Sequence, residues 1–538
     1  MAALSGLIVF GGTQAQATDY INNEDTSNAK FNGTTGAASD LSKGTLDILN
    51  EQDATLPKSS YDLNALTSSV DEQGNVTYKN ADGNVVDSAN VVTKYELVNV
   101  TKYYNKETNT LVGADEKQDG LEYVEVRTKE NIPHYFEKVS RIEVPTAADI
   151  DTTGMNVVDS SNYTGPISDA DGAINQTIQN TVYTVGPVSQ TITNSESNLI
   201  FDNVVQNTGA PLINGDNNGT LTFKDVVTLN QAPFITGVNN GTITGISGTF
   251  LNSAGNFLNN KNKVGNINAD FINVQTGYLI HNNGTSDLTA EIGDITGNFI
   301  NSSSYTPYGI VGNVSYGKIG DITGDFYGNT SKIYGGAIAN LPQGTSSNPT
   351  AGTGIIESIT GSFINNHASN VTYDENGNRT VNSQTDTMGG AIYNTGTING
   401  GKITALKDNY TDGYRVAGGA IYSTGTLNLD EIGEISGNYA KGTTRGDGGA
   451  IFAYNGTIGT IKGDIKDNYI EAVSAYNEFG SPTAGGGGKG GALATSLNIG
   501  SVEGNIENNH IIGIFDAQGG AIYMVTLAVA LSISKVLI

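Results

Sequence analysis

The sequence predicts an all-β protein whose main body is a single-stranded parallel β-helix. Three short motifs recur and alternate along the chain: Ile-x-Gly-x-aromatic, Gly-Gly-Ala-Ile and Gly-Thr-Ile/Leu. Each run is too short for a helix, and its apolar residues alternate with a period of two, as in a strand. Turns rich in Asn, Gly, Asp and Thr separate the runs. A repeat of roughly 28 residues with three strands is one coil of such a solenoid.

The pentad Ile-x-Gly-x-aromatic indicates the spacing of the coils. Copies begin at Ile295 and at Ile322, 27 residues apart, and Ile267 begins a variant copy 28 residues before Ile295. Other copies begin at Ile246, Ile359, Ile435, Ile461 and Val502. Because neighbouring strands lie about 4.8 Å apart, equivalent residues stack on one another. We expect an inward aliphatic ladder and an inward aromatic ladder, made of Ile295, Ile322 and Ile359 and of Phe299, Phe326 and Phe363.

The Gly-Gly-Ala-Ile motif predicts a tight internal corner in each coil. Its copies are Gly335–Ile338, Gly389–Ile392, Gly418–Ile421, Gly448–Ile451 and Gly519–Ile522, with Gly490–Leu493 as a variant. The small side chains of Ala391, Ala420 and Ala450 suit the inside of such a corner. The paired glycines before them supply a positive φ or a close approach of two backbones.

Asparagine is the expected turn residue between strands. Several pentads continue into Phe-x-x-Asn, as in Phe326–Asn329 and Phe363–Asn366. Asparagine tolerates the left-handed conformation, and its amide can bond to the same residue one coil away. The high content of Gly and Asn therefore indicates repeated turn chemistry.

Composition excludes several classes of function. The chain has 538 residues, a net charge of −27 and no cysteine. A phosphate-backbone binder needs clustered Lys and Arg, so no nucleic-acid partner is expected. The absence of cysteine removes disulfide scaffolds, thiol nucleophiles and cysteine zinc sites. A secreted chain without cysteine also suits export through an outer-membrane pore in an unfolded state.

Four segments are expected along the chain. Residues 1–17 resemble a signal peptide with an Ala-x-Ala cleavage site, although no Lys or Arg precedes the apolar run. Residues 18–165 are expected to form a small β-rich module that caps the solenoid. Residues 166–523 are the repeat array, with its regular part beginning between Gly165 and Asn218. Residues 524–538 form an apolar tail, for which truncation is the favoured explanation.

Long insertions occur at one position of the repeat. Between Phe-x-x-Asn and the next Gly-Gly-Ala, most coils use only a few residues, whereas His367–Met388 and Ile470–Lys489 are much longer. Loops that leave a solenoid at one corner share a face, and such faces often bind partners. Neutral loop growth is the competing explanation, because solenoid corners tolerate insertions at little entropic cost.

The alternation of Gly-Gly-Ala-Ile/Leu with Phe-x-x-Asn in a cysteine-free chain resembles the passenger domain of autotransporters. More specifically, it resembles the repeats of polymorphic outer membrane proteins, and the likeness covers about Ile246–Tyr523. The resemblance implies a right-handed, pectin-lyase-like parallel β-helix displayed on the outer membrane, commonly as an adhesin. The matching residues are scaffold residues. No translocator barrel follows Tyr523 in this sequence, and members of that family tend to contain cysteine.

Parallel β-helices also include polysaccharide lyases and hydrolases, which need clustered carboxylates with Arg or Lys, or carboxylates that bind calcium. Asp294 and Asp321 occupy equivalent outward positions, with Asp325 close by and Ser358 next in the column. The enzyme alternative predicts a groove with Asp and Arg or Lys at Ile292–Asn329. A solvated polar ladder is the default, so no catalytic, metal or cofactor residues are assigned, and calcium is the only ion considered.

Other motifs indicate no chemistry of their own. Asp374–Asn378 begins like a calcium loop but predicts a hairpin turn in the first insertion. Gly485–Gly488 predicts a flexible loop, because no strand-to-helix context makes it a phosphate cradle. The four histidines are scattered at His134, His281, His367 and His510. Tyr305 and Tyr308 are one candidate pair for stacking on a sugar.

These observations predict a secreted bacterial cell-surface protein, associated with the outer membrane and not catalytic. Its expected function is adhesion or surface display, through side-chain ladders and corner loops. The expected partner is a host cell surface, matrix or glycan ligand, with an outer-membrane translocator outside this chain. Two alternatives stay open: a polysaccharide lyase or hydrolase with the same fold, and a structural surface-layer protein.

Overall fold

The computed structural model describes residues 61–70, 76–80, 83–86, 91–105, 110–114, 116–140, 149–277, 279–342, 354–373, 379–472, 487–513, 517–524 and 532–533. Within these residues the regular structure is β, without an α-helix. The described residues up to Ser140 belong to one compact unit and those from Asp149 onward to a second. The predicted signal peptide, at residues 1–17, lies outside the described residues.

The first unit is an antiparallel sheet, as the β-rich module of the sequence prediction requires. Its centre is a long hairpin in which Val91 pairs with Glu137 and Asn105 pairs with Tyr123. Shorter strands flank this hairpin on both sides. The six strands are Tyr61–Val70, Val76–Lys79, Val85–Val86, Val91–Asn105, Thr110–Val112 and Tyr123–Ser140.

The second unit is a parallel β-helix, which confirms the predicted fold class. The predicted ladders are present in register: Ile295 pairs with Ile322 and Ile322 with Ile359. The phenylalanine column follows the same register, and its rings stack at 4.6–5.2 Å between centroids. All five of its side chains are fully buried: Phe250, Phe271, Phe299, Phe326 and Phe363.

The first coils are shorter than the roughly 28 residues that the pentads predict. Thr220 follows Asn198 by one coil, and Thr242 follows Thr220, so each coil takes 22 residues. Too few residues remain for a third strand, and these coils have two faces. Their strands are Asn156–Val158, Asn175–Tyr183, Ser189–Ile192, Asn198–Asn207, Ile213–Asn217, Thr220–Leu229, Val238–Asn239, Thr242–Leu251, Leu258–Asn260 and Lys263–Ile272. The parallel array thus begins at Asn156, earlier than the sequence indicates, because the coils before Asn218 lack the motifs.

From Gln275 onward a third face is added, and coils of 27 to 30 residues become common. In one such coil the first face is Ile421–Ser423, the second is Thr426–Ser436 and the third is Tyr439–Asp447. The third-face strands form a sheet of their own. They are Gln275–Thr276, Ser303–Ser304, Thr330–Ser331, His367–Ser369, Thr387–Met388, Tyr410–Ala417, Tyr439–Asp447, Tyr469–Ala472, Gly487–Lys489, His510–Gly513 and Ala517–Gln518.

The first and second faces continue the large parallel sheet to the end of the described chain. Two strands in the tail region belong to it: Ile522–Met524 pairs with Leu493–Thr495, and Ser532–Ile533 pairs with Asn498–Val502. The remaining strands of these faces are Ile280–Asn283, Ala290–Ile292, Ile295–Thr296, Phe299–Ile300, Val311–Val314, Gly317–Thr323, Phe326–Tyr327, Ile338–Leu341, Ile355–Ile364, Ile392–Asn394, Thr397–Ile398, Lys402–Lys407, Ile421–Ser436, Ile451–Ile461, Ile465–Lys466 and Ile506–Glu507.

The glycines of both motifs are needed because backbones of adjacent coils approach closely. Gly418 has a φ of 62°, and a Cβ on Gly419 would lie 2.0 Å from the Gly449 carbonyl oxygen. Ala420, next in the motif, is fully buried at the corner, as predicted. In the pentad, a Cβ on Gly324 would lie 1.8 Å from the Gly297 oxygen. The repeat therefore keeps glycine where the next coil leaves no room for a side chain.

Candidate functional site

An aromatic ladder runs along the outer side of the third face. Five successive strands there contribute one ring each at the same register position. Successive ring centroids are 4.5, 4.8, 5.0 and 5.4 Å apart, and the planes deviate by at most 10°. The rings are half-buried and belong to His367, Tyr410, Tyr439, Tyr469 and His510.

This stacking determines what the ladder presents to a ligand. Because each ring covers the face of the next, the interior members of the stack, such as Tyr439, expose edges rather than π-faces. A sugar that packs on an aromatic residue needs an open ring face, so the ladder is no stacking platform. It offers tyrosine hydroxyls and ring edges in a row, which are polar and hydrogen-bonding features.

The two long insertions leave the solenoid at one corner, between the third face and the following Gly-Gly-Ala. Residues 370–386 connect third-face strands of one coil, and residues 473–486 do so in another. Between them lie two coils in which Tyr410–Ala417 and Tyr439–Asp447 cross the corner as continuous strands. The insertions start three strand steps apart, about 14 Å at a spacing of 4.8 Å.

We call this region the insertion corner and define it by Asp386–Met388, Arg415–Ala417, Arg445–Asp447 and Gly487–Lys489. These segments are register neighbours in the third-face sheet. Part of the first insertion is a hairpin, in which Val371–Tyr373 pairs with Arg379–Val381. The corner is thus a paired strand surface between two insertions, as the sequence prediction of a shared loop face requires.

Arginine is concentrated at this corner. The chain contains only Arg127, Arg141, Arg379, Arg415 and Arg445, so every arginine after residue 141 belongs to the corner or to the adjoining hairpin. The other ion-paired cations of the solenoid are lysines, as at Lys318 and Lys462. A guanidinium has a planar fork of donors that matches carboxylate and sulfate groups, whereas an ammonium acts as a point charge.

Arg415 and Arg445 are neighbours across two adjacent strands. Arg415 Nε donates to Asp386 Oδ1 at 3.0 Å, and Nη2 donates to the other oxygen. These bonds and the charge of Asp386 raise the pKa of Arg415 above its ordinary value. Arg445 Nε lies 2.8 Å from Asp447 Oδ2. Both arginine side chains stay about half exposed, at 56% and 52%.

Asp447 differs from Asp386 because it is nearly buried, with 8% of its surface exposed. Burial raises the pKa of Asp447, while the charges of Arg445 and Lys489 oppose that shift. The chain reads Arg-Gly-Asp at Arg445–Asp447. Here it is a strand paired on both sides, and its carboxylate is bound by its own arginine. The Asp447 carboxylate is therefore bound within the strand, while the Arg445 side chain stays half exposed.

A row of charged side chains lies beside the aromatic ladder. Asp412, Lys441 and Glu471 are successive register neighbours two residues beyond the tyrosines. Lys441 Nζ lies 3.4 Å from Glu471 Oε2, and both carboxylate residues are buried. The alternation of signs avoids like charges on adjacent strands, which would be destabilising.

The outside of the Gly-Gly-Ala corner is filled by aromatic side chains, which gives this wall its rigidity. Tyr334 packs on Tyr393 at 4.4 Å between centroids, and the column continues through Tyr422 to Phe452 at 5.1 and 5.2 Å. Burial raises the pKa of Tyr393 well above its ordinary value. Ala417 packs against Phe452 in the same cluster. This surface is packed rather than a groove.

The carboxylates singled out in the sequence accept backbone N–H groups or a serine hydroxyl instead of converging on a site. Asp294 and Asp321 are exposed, as predicted. Asp294 Oδ1 accepts the backbone N–H of Asp321 at 3.0 Å, and Asp321 Oδ1 accepts the Ser358 hydroxyl at 2.7 Å. Asp325 Oδ1 likewise accepts the N–H of Ser362. The only nearby cation within Ile292–Asn329, Lys318, is paired with Glu357 at 3.0 Å.

The two tyrosines of the predicted sugar-stacking pair, Tyr305 and Tyr308, lie in different environments. Tyr305 is 57% exposed. Tyr308 instead stacks on His281 at 5.6 Å, beside the small Gly312. Burial lowers the pKa of His281 to about 4. The two tyrosines therefore do not act as one platform.

The histidines stay apart, as the sequence indicates. His367 and His510 lie at the two ends of the third-face ladder, and His134 lies on the strand Tyr123–Ser140 of the first unit. In the described part of the chain, no three His, Asp, Glu or Cys residues are grouped so that they could hold a metal ion.

Two remaining predictions concern the insertions. Asp374–Asn378 lies outside the described residues. Gly487 and Gly488 are paired with Arg445 and Gly446 in a strand, so the prediction of a flexible loop over Gly485–Gly488 is wrong for these two residues. Close packing explains the strand, because a Cβ on Gly488 would meet the Gly446 carbonyl at 2.8 Å.

The position of the insertions was predicted from the sequence, whereas the ionic pairs between them were not. The usable signal was the clustering of three of the five arginines within residues 379–445. No family model, curated protein or solved structure matches this chain. In the described residues, no helix is long and apolar enough to cross a lipid bilayer.

Proposed function

We propose that this protein is a non-catalytic adhesin or display scaffold, secreted and held at a bacterial cell surface. One observation carries the proposal: a rigid solenoid presents two insertions and the arginines of its second unit at a single corner. Arginine and tyrosine are the residues on which binding energy often concentrates. The resemblance of the Gly-Gly-Ala-Ile/Leu and Phe-x-x-Asn repeats to autotransporter passenger domains supports the same function.

The scaffold suits display because its stiffness comes from continuous ladders. Twelve second-face turns follow one another from Asn175 to Val502, which is roughly 55 Å at the strand spacing. Such a stack holds the insertion corner in a fixed geometry. Preorganisation of that kind lowers the entropy lost on binding.

The test is adhesion of the purified full chain to host cells, matrix proteins and glycans, compared with a variant that lacks one insertion. Residues 473–486 are replaced by Thr-Thr, because Thr443 and Thr444 close the equivalent corner in the neighbouring coil. We expect adhesion to fall at least tenfold.

The matched control removes an insertion at a different corner. Replacing residues 342–353 by Ser-Tyr copies Ser315 and Tyr316 of the neighbouring coil. This control variant is expected to adhere normally. Equal adhesion of both variants and the parent protein would remove the insertion corner from the proposal, and no adhesion by the parent would contradict the proposal itself.

A polysaccharide lyase or hydrolase is the second candidate, and one observation favours it. Asp and Arg side chains are clustered at the insertion corner, although not at Ile292–Asn329. Incubation with acidic and neutral polysaccharides, followed by mass spectrometry, separates the two functions. Shortened or unsaturated products that disappear in Asp386→Asn would establish the enzyme.

A further inference from the structure

The pairing of Arg415 with Arg445 places two like charges on adjacent strands, about 4.8 Å apart at the backbone. Each guanidinium has five N–H donors. Asp386 takes the Nε and one Nη2 donor of Arg415, and Asp447 takes the equivalent donors of Arg445. The remaining donors belong to side chains that are about half exposed.

The local charge at this corner differs from that of the whole chain, whose net charge of −27 repels anions. On the insertion corner and the adjacent row, four cations face four carboxylates: Arg415, Lys441, Arg445 and Lys489 against Asp386, Asp412, Asp447 and Glu471. These eight side chains therefore carry no net formal charge together. An anionic group meets less repulsion at such a balanced set than at a surface dominated by carboxylates.

The surroundings favour a polar ligand over a protein. Protein interfaces depend on a central cluster of apolar anchors. Among the side chains that the structure describes in the second unit, the well-exposed large apolar residues Val157, Leu288 and Tyr305 lie outside the segments of this corner. Tyr454 is the exception, because it packs on Phe452, which contacts Ala417. The third face instead offers tyrosine edges and hydroxyls. Polar recognition with little apolar area fits a carbohydrate.

We propose that Arg415 and Arg445 form a subsite for the carboxylate or sulfate groups of an acidic glycan. This inference rests on the proposed function and specifies the ligand of the same corner. A planar guanidinium binds such groups by donating two parallel N–H hydrogen bonds. Asp386 competes for Arg415, so it tunes the affinity of the subsite.

The experiment is a calorimetric titration of the full chain with three hexasaccharides. A hyaluronan hexasaccharide carries carboxylates only, a heparin hexasaccharide adds sulfates, and maltohexaose is neutral. We expect at least one acidic probe to bind, with an affinity that falls as salt rises, and maltohexaose not to bind. The better acidic probe identifies whether carboxylate or sulfate is preferred.

Four variants localise the site. Arg415→Gln and Arg445→Gln are each expected to weaken binding about tenfold, the effect of losing one strong charged contact. Asp386→Asn is expected to tighten it several-fold, because it releases donors of Arg415. Lys318→Gln, which removes an ion-paired cation elsewhere on the solenoid, is the matched control and leaves binding unchanged.

Several outcomes overturn the inference. Equal binding of maltohexaose, unchanged affinity in both arginine variants, or an equal loss in Lys318→Gln would each refute the subsite. If the parent protein adheres to cells through the insertion corner but binds none of the acidic probes, the inference fails while the proposed function stands. Absence of both adhesion and glycan binding contradicts both.

Discussion

Asn409 donates both its backbone N–H and its side-chain amide to Asn438 Oδ1, at 3.1 and 3.0 Å, in the interior of the solenoid. The same amide donates to the Phe363 carbonyl oxygen of the preceding coil at 2.8 Å. The pattern repeats along the column Asn329, Asn366, Asn409, Asn438, Asn468 and Asn509. One side chain thus ties three coils together.

Removing a member of this ladder is expected to destabilise its coil. Asn409→Ala leaves buried backbone donors and acceptors unpaired, at a cost of about 1–3 kcal/mol. Local hydrogen exchange of residues 363–440 measures this effect, because coils of a solenoid open separately. Asn399 bonds to Glu357 at the exposed surface, and Asn399→Ala is expected to change stability by under about 0.5 kcal/mol. Equal effects would contradict the ladder's role.

The pentad glycine should not tolerate a side chain. Gly324→Ala forces a Cβ against the Gly297 carbonyl, at a φ of 153°, and we expect a loss of at least about 3 kcal/mol. Gly400→Ala is the control, since the nearest atom to its Cβ is 3.9 Å away. Thermal unfolding and hydrogen exchange measure the stability of both variants. A stable Gly324→Ala variant with native exchange would refute the close approach of coils.

The stability that the phenylalanine column contributes should depend on the volume of its side chains rather than on their aromaticity. Phe326→Ala empties a fully buried site and is expected to cost about 3–5 kcal/mol. Phe326→Leu is expected to cost much less, because Leu406 occupies the next position after Phe363 in this column. Denaturant unfolding of the two variants gives the comparison. A leucine variant as unstable as the alanine variant would show that ring stacking dominates.

Acidification should loosen the coils around His281. Its folded pKa of about 4 lies below the ordinary value of 6.5, so the unfolded state takes up the proton first as pH falls. Above pH 6.5 the burial of His281 does not change the free energy of unfolding. Between pH 6.5 and pH 4 it lowers the free energy of unfolding by about 1.4 kcal/mol per pH unit.

The matched variant for this prediction is His281→Asn, which continues the row from Asn259 and cannot titrate. Hydrogen exchange of residues 258–314 between pH 4 and 7 compares the two proteins. The difference in stability between them should change with pH in this window and be constant above it. A constant difference throughout would contradict the shifted pKa.

Much of the scaffold followed from the sequence because a solenoid repeats local chemistry. Ile322, Phe326 and Gly324 lie where the pentad spacing places them. The coils before Asn218 were not predicted, because they contain neither Phe-x-x-Asn nor Gly-Gly-Ala. The position of the insertion corner was predicted, whereas its ion pairs were not.

Sequence alone determined which residues stack, since equal spacing brings equivalent side chains to adjacent strands about 4.8 Å apart. Tertiary structure decided what the polar side chains do. Asp294 serves a backbone N–H instead of a ligand, and Asp386 reaches Arg415 across 29 residues. Such partners depend on how insertions and register shifts align neighbouring coils, and that alignment exists only once the coils have packed.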